Sequence, residues 1–168
     1  MTEIAKNIYT GSEQSFNSMR DYSDWAILHC CKHPFHCSFV GYKGNLNPNH
    51  PDYALKQKNN EMALNLVDMD SFNSSYLSFN ENMFRTAFNF LDNYYNKGCK
   101  ILIHCNQGES RGPTLAMFYS AYKGLFGNEN FDETEKKFRA LYPNYNPKKN
   151  IYYTVQNLWN KFIGDQNK

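Results

Sequence analysis

Apolar residues follow two rhythms along the 168-residue chain. Short runs of strand length come first. "NIYTG" predicts a first edge strand, "DWAILHCC" a short buried strand ending at Cys31, and "EMALNLVD" a third that closes on Asp68 and Asp70. "CKILIHC" is the most apolar short run and predicts the central strand of the sheet. Residues 32–60 are rich in Pro, Gly, Asn and His, which predicts a long irregular connection with a turn near "NPNHP". The second rhythm is helical. In "LSFNENMFRTAFNFLDNYYNKG" the apolar positions Met83, Phe84, Ala87, Phe88, Phe90, Leu91 and Tyr95 recur at helix spacing, with Gly98 as a C-terminal cap. "GPTLAMFYSAYKGLFG" predicts a helix after Arg111, with Pro113 tolerated in its first turn. "NFDETEKKFRALYP" opens on acidic residues that suit a helix N-terminus and stops before Pro143. "NPKKNIYYTVQNLWNKFI" predicts the last helix. Strands alternating with helices, then a helical C-terminal part, indicate an α/β fold: one domain over residues 1–168, a mainly parallel central sheet flanked by helices.

Composition narrows the setting. Hydrophobic residues make up 41% and aromatics 17%, enough for a real core and unlike a disordered chain. A net charge of +2 is too small to argue for a nucleic-acid or membrane partner. The opening residues hold no apolar run of signal-peptide type, and no window reaches the length of a transmembrane helix. Five cysteines without a secretion signal then predict free thiols in a reducing, cytoplasmic compartment. The aromatic stretches "AFNFLDNYY" and "IYYTVQNLW" read as core and domain surface, not as a base-stacking platform.

The junction "KILIHCNQGESRGPT" carries the chemistry. In an open α/β sheet, ligands gather where strand ends lead into helix N-termini. There a loop aims backbone N–H groups inward and the helix dipole adds positive charge, a setting that fits a phosphate dianion. Cys105 at the base of such a loop would be favoured as thiolate. Arg111, six positions on, offers a planar fork for two phosphate oxygens, and Gly108 lets backbone approach the ligand closely. Asn106, Gln107, Gly108, Glu109, Ser110 and Arg111 are therefore the candidate substrate-binding residues. "HCCKHPFHC", His29 to Cys37, crowds His and Cys together but lacks the paired spacing of a zinc site, so no metal or other cofactor is expected. Lys32, His33 and His36 are expected along the substrate cleft instead.

With its Cys-x5-Arg spacing after "ILIH" and before a helix, the chain resembles the cysteine-dependent protein tyrosine phosphatase superfamily, most closely the small dual-specificity phosphatases. The likeness is sharp from Leu64 to Tyr122 and followable to Trp159, and "NIYTG" is similar to the family's edge strand. The stretch from His29 to Asn60, taken with "HCNQGESRGPT", is similar to phosphatase-like proteins of bacteria and phages. The resemblance implies that Cys105 is the nucleophile that forms a phosphocysteine, Arg111 binds the phosphoryl group, and His104 supports the loop. Aligning "LNLVDMD" with the family's strand and following loop places the general acid at Asp70, 35 positions before Cys105, with Asp68 as second choice.

One position departs from the family. Ser or Thr usually follows the arginine, and here Gly112 does. If a serine fits there, Gly112→Ser should speed breakdown of the phosphocysteine. The expected substrate is phosphotyrosine together with phosphoserine or phosphothreonine in a protein, or a small phosphomonoester, because the loop carries no lysine and Glu109 disfavours polyphosphorylated headgroups. The alternatives are an RNA 5′-phosphate or nucleotide phosphatase, and a phosphate-binding pseudophosphatase.

Overall fold

The computed structural model describes residues 1–126 and 130–164. The expected end of the second helical segment, Gly127, lies outside them. Six strands form one sheet: β1 (Thr2–Ala5), β2 (Ile8–Gly11), β3 (Trp25–His29), β4 (Leu55–Lys58), β5 (Glu61–Leu64) and β6 (Lys100–His104), in the order β1-β2-β6-β3-β5-β4. The four inner strands are parallel, and β1 and β4 close the two edges antiparallel. β6 is central, as its apolar run predicted, paired to β2 on one side and β3 on the other.

Two edge strands escaped the sequence reading. "NIYTG" is not the edge, because β1 pairs outside it, joined through Asn7 at φ +60. Residues 32–60 are not wholly irregular. They contain a π-type turn at Lys32–His36, a short helix α2 (Cys37–Val40) and the polar edge strand β4. Neither edge strand shows a long apolar run, since each has one face or more in solvent.

The remaining helices are α1 (Glu13–Asn17), α3 (Leu77–Tyr95), α4 (Arg111–Tyr122), α5 (Phe131–Leu141) and α6 (Lys149–Ile163). α3 and α4 pack on one face of the sheet, and α5 and α6 pack on α4. Gly98, at φ +84, ends α3 as expected, a left-handed conformation that costs glycine no Cβ clash. Asn130 caps α5 by accepting from the Glu133 N–H. α4 is buried almost all round, from Gly112 to Ala121, which makes it the axle of the helical layer. Phe118 stacks on Trp159 at 5.5 Å and meets Phe88 edge-on at 5.3 Å. These aromatics are core, and each contributes roughly 1.5–3 kcal/mol by leaving water. The sheet's other face is covered by α1 and by the turn and helix of residues 32–40. Side chains alternate along β6, so Ile101, Ile103 and then Cys105 join the helical core, while Leu102 and His104 face the other way.

Candidate active site

The parallel strands deliver their C-terminal ends to one edge of the molecule, and residues 105–110 loop there between β6 and α4. The loop is tied from outside by its carbonyls. The Asn106 carbonyl accepts from the Glu13 N–H at 3.0 Å, and the Glu109 carbonyl from the Asn146 N–H at 2.9 Å. The Gly108 carbonyl accepts from the Tyr142 hydroxyl at 2.7 Å, and the Ser110 carbonyl from the Thr114 N–H and hydroxyl at 3.0 and 2.7 Å. By contrast, no backbone N–H from Asn106 to Ser110 donates to an acceptor among the described residues. Four engaged carbonyls and a run of free N–H groups make a concave anion cradle of the kind a phosphate fits.

Gly108 makes that curvature possible. Its φ is +75, and an added Cβ would lie 2.8 Å from the Gly11 carbonyl carbon and 2.9 Å from the Ser12 nitrogen. Cys105 sits at the base of the loop, 2% exposed and with a free thiol. Its neighbours at the end of β3 are different: burial pushes the Cys30 thiol well up, and burial pushes the Cys31 thiol up to about 12. Those two are packing thiols at neutral pH.

Arg111, the first residue of α4, curls its guanidinium back over the loop. One terminal nitrogen donates to the Leu66 carbonyl at 2.9 Å and the other to Asn106 Oδ1 at 3.0 Å. Its Nε lies 3.6 Å from Asp68 Oδ2, near enough for attraction between charges and too far for a hydrogen bond. The arginine is thus gripped at its edges by two loops, and its buried Nε–H has no hydrogen-bond partner among the described residues.

The two candidate acids part ways. Asp68 accepts a hydrogen bond from the Ser110 hydroxyl at 2.9 Å and stands beside Arg111, with its side chain 21% exposed. Burial raises its pKa, against the opposing pull of Arg111, Ser110 and Lys148. Asp70 points away. Its side chain is 86% exposed and pairs with Lys148 at 2.7 Å. Beyond the strand end the Leu66 carbonyl accepts from Arg111 and Asp68 from Ser110, so both face the loop. Sequence spacing alone did not carry that information.

The other expected residues fall into two groups. Asn106 reaches the His33 carbonyl at 3.0 Å as well as Arg111, so it knits the loop together. Gln107 and Glu109 are exposed, and Ser110 is buried with its hydroxyl taken by Asp68 and by the Lys148 N–H. Lys32 and His33 lie next to the site, but His36 does not line the cleft. It is buried, held by the Tyr42 hydroxyl and the Asp52 carbonyl at 2.9 Å each. Gly112 has a steric reason of its own. A Cβ there would lie 2.7 Å from the Cys105 nitrogen and from the His104 carbonyl carbon, so the start of α4 approaches β6 too closely for serine. The condition on the Gly112→Ser expectation is not met. Among the described residues no three His, Cys, Asp or Glu side chains are grouped to hold a metal ion.

The sequence reading missed His29 and Glu61. His104 bonds to His29 at 2.6 Å, and His29 to Glu61 at 2.9 Å. The signal was a histidine at the end of each of two neighbouring parallel strands. Beside the loop, a cavity of about 430 Å³ opens between Lys32, Tyr53, Asn65, Val67, Met69 and Asn80.

Comparison with known proteins agrees with this geometry. The family model described as "Dual specificity phosphatase, catalytic domain" matches residues 34–154. Human dual specificity protein phosphatase 9 is 26% identical over 145 residues, covering 86% of this chain and 33% of that protein. Human dual specificity protein phosphatase 6 is 30% identical over 108 residues, covering 64% and 27%. The chain spans about a third or less of the length of these relatives. They are mammalian, and nothing in them supports the likeness to bacterial and phage proteins. Among solved structures, the crystal structure of human tyrosine phosphatase-like serine/threonine/tyrosine-interacting protein matches with a TM-score of 0.63 at 18% identity, over 94% of this chain and 93% of that one. The crystal structure of DUSP15 matches with a TM-score of 0.65 at 14% identity, over 99% and 94%. At such identities these two speak for the fold.

Proposed function

The chain belongs to the dual specificity phosphatase family, and from that premise we propose that residues 1–168 form one phosphatase domain that hydrolyses phosphomonoesters through Cys105. The observation that carries the reading is the loop itself: free N–H groups around a buried cysteine, with the arginine folded over them. In the first step the Cys105 sulfur attacks phosphorus, an S–P bond forms, and the P–O bond to the leaving group breaks. The leaving oxygen takes a proton from an acid. We assign this acid to Asp68 rather than Asp70, a reading supported by its hydrogen bond from Ser110, its nearness to Arg111 and the burial that favours its protonated form. In the second step the Asp68 carboxylate takes a proton from water, the water oxygen attacks phosphorus, and the S–P bond breaks to return the thiolate. Arg111 and the loop N–H groups hold the equatorial oxygens through both steps.

A phosphorylated protein, at tyrosine and at serine or threonine, is the substrate this reading favours, in a cytoplasmic setting and with no metal or other cofactor in the reaction. Family membership and the lack of a lysine in the loop support it. A second reading, a nucleotide or RNA 5′-phosphate as substrate, has one observation in its favour. Asn80 lines the neighbouring cavity and is 4% exposed, and an amide can both donate to and accept from the edge of a planar heterocycle.

The test is hydrolysis of an aryl phosphate, then of phosphopeptides, nucleotides and 5′-phosphorylated RNA, by the wild type and Cys105→Ser. Turnover that is lost in Cys105→Ser and indifferent to chelator is expected. Activity surviving in Cys105→Ser would sink the mechanism, and a preference for nucleotides would select the second reading.

A further inference from the structure

His29 and His104 end adjacent parallel strands and stand opposite each other in the ladder. Glu61 opens the next strand, opposite Ile27, so it projects from the same face as His29. Through this register a chain of three hydrogen-bonding contacts crosses the sheet: Glu61 Oε2 to His29 Nε2 at 2.9 Å, His29 Nδ1 to His104 Nε2 at 2.6 Å, and His104 Nδ1 to the Cys105 carbonyl at 3.3 Å. Both rings are wholly buried. Phe35 stacks on His29 at 4.2 Å, Phe16 on His104 at 5.3 Å, and Phe39 meets His29 edge-on. Glu61 is the one member that touches water, its side chain 20% exposed. Around the pair, the charged or titratable groups are Glu61 from β5, each histidine for the other, and Lys58 of β4. Lys58 lies opposite Glu61 with its ammonium 5.1 Å from the Phe39 ring centre. α1 and the turn after β3 bring the rings of Phe16 and Phe35 to it.

Counting protons decides what this chain does. Each of the three contacts needs one proton between its two acceptors, because a carboxylate and a carbonyl can only accept. Two neutral imidazoles supply two. The contact to the carboxylate and the very short one between the rings must be filled, which leaves His104 Nδ1 bare against the Cys105 carbonyl, the longest of the three. Desolvation lowers the pKa of His29 against the pull of Glu61, and desolvation takes His104 down to about 3, in keeping with a neutral pair at rest. A third proton would fill every contact and make the set Glu61 carboxylate plus one shared imidazolium, with no net charge. A dianion in the adjacent loop is what favours that proton.

We propose that Glu61 and His29 are positioning residues that let His104 gain a proton when a phosphate dianion occupies the loop. The proton ends on His104 Nδ1, donates to the Cys105 carbonyl, and sets a positive charge behind the nucleophile while Glu61 balances it. Nothing else in the step changes: one proton is taken up and no other bond is made or broken. The proposal rests on the phosphate-loop reading above.

The experiment measures proton uptake on binding of tungstate, a dianion that does not itself titrate near neutrality, by calorimetry in buffers of different ionisation enthalpy. It uses the full chain carrying Cys105→Ser, so that the thiol adds no proton, with and without Glu61→Gln. Removing an opposite charge in hydrogen-bond contact moves a pKa by about 1–3 units, so uptake near neutral pH should fall about tenfold or more in Glu61→Gln while tungstate still binds. His29→Phe, which keeps the ring stack but ends the chain of contacts, should abolish the same part of the uptake. Equal uptake with and without Glu61, binding intact, would overturn the relay alone. Failure of tungstate to bind would overturn the phosphate-loop reading and the relay with it.

Discussion

Gly112 allows the steric argument to be tested most sharply. An added Cβ would stand 2.7 Å from the Cys105 nitrogen, 2.7 Å from the His104 carbonyl carbon and 2.8 Å from His104 Cα. All three are backbone atoms at the end of the central strand or of the residue just after it, which cannot swing aside as a side chain would. Ordinary carbon contacts lie near 3.5–4.0 Å, so the start of α4 must retreat by roughly 0.8 Å or more. Overpacking of this kind costs about 1–3 kcal/mol. At about 2–4 °C per kcal/mol for a chain of this size, Gly112→Ala should melt roughly 2–12 °C lower. The retreat also carries Arg111 away from the loop, and a misplacement near 1 Å costs on the order of 100-fold in rate. Gly112→Ser, which introduces the family's own residue, should therefore be slower than wild type, not faster. Thermal unfolding and steady-state hydrolysis of an aryl phosphate, run on both variants, decide the matter. Wild-type melting and wild-type rate in Gly112→Ala would refute the steric argument, and a faster Gly112→Ser would show that the loop has room. The wild type should still show a burst of leaving group. The Ser110 and Thr114 hydroxyls are spent on Asp68 and on the Ser110 carbonyl, so neither is free to ease departure of the thiolate, a contact worth about 1.5–3 kcal/mol.

Two further outcomes follow from the site. Asp68→Asn should remove the alkaline limb of the pH–rate profile, because a carboxyl with a raised pKa acts as acid below that pKa and activity falls as pH rises through it. Asp70→Asn should leave that limb in place, and the reverse pattern in kcat/KM against pH would return the role to Asp70. Arg111→Lys keeps the charge but cannot reproduce the contacts to both the Leu66 carbonyl and Asn106. About 1.5–3 kcal/mol per lost charged hydrogen bond predicts a loss of at least 10-fold in kcat/KM, and near-wild-type turnover would count against the fork.

What the sequence determined by itself was local. The helices were legible because apolar spacing within one segment states which face is buried, and Met83, Phe84, Ala87, Phe88 and Leu91 all went inside. The loop was legible because Cys105 and Arg111 are joined by five residues, so covalent reach already confines both to one turn. The steric role of Gly108 against the Gly11–Ser12 backbone, and of Gly112 against β6, needed the strands to be placed first. So did the edge strands: β4 reads "LKQK", and only pairing with β5 makes a strand of it. The different surroundings of Asp68 and Asp70 turned on which partner, Ser110 or Lys148, the fold brought to each. Glu61, His29 and His104 lie 32 and 75 positions apart in the chain. Nothing in a one-dimensional pattern sets strand register, and it was the parallel register of β5, β3 and β6 that lined their side chains up on one face of the sheet.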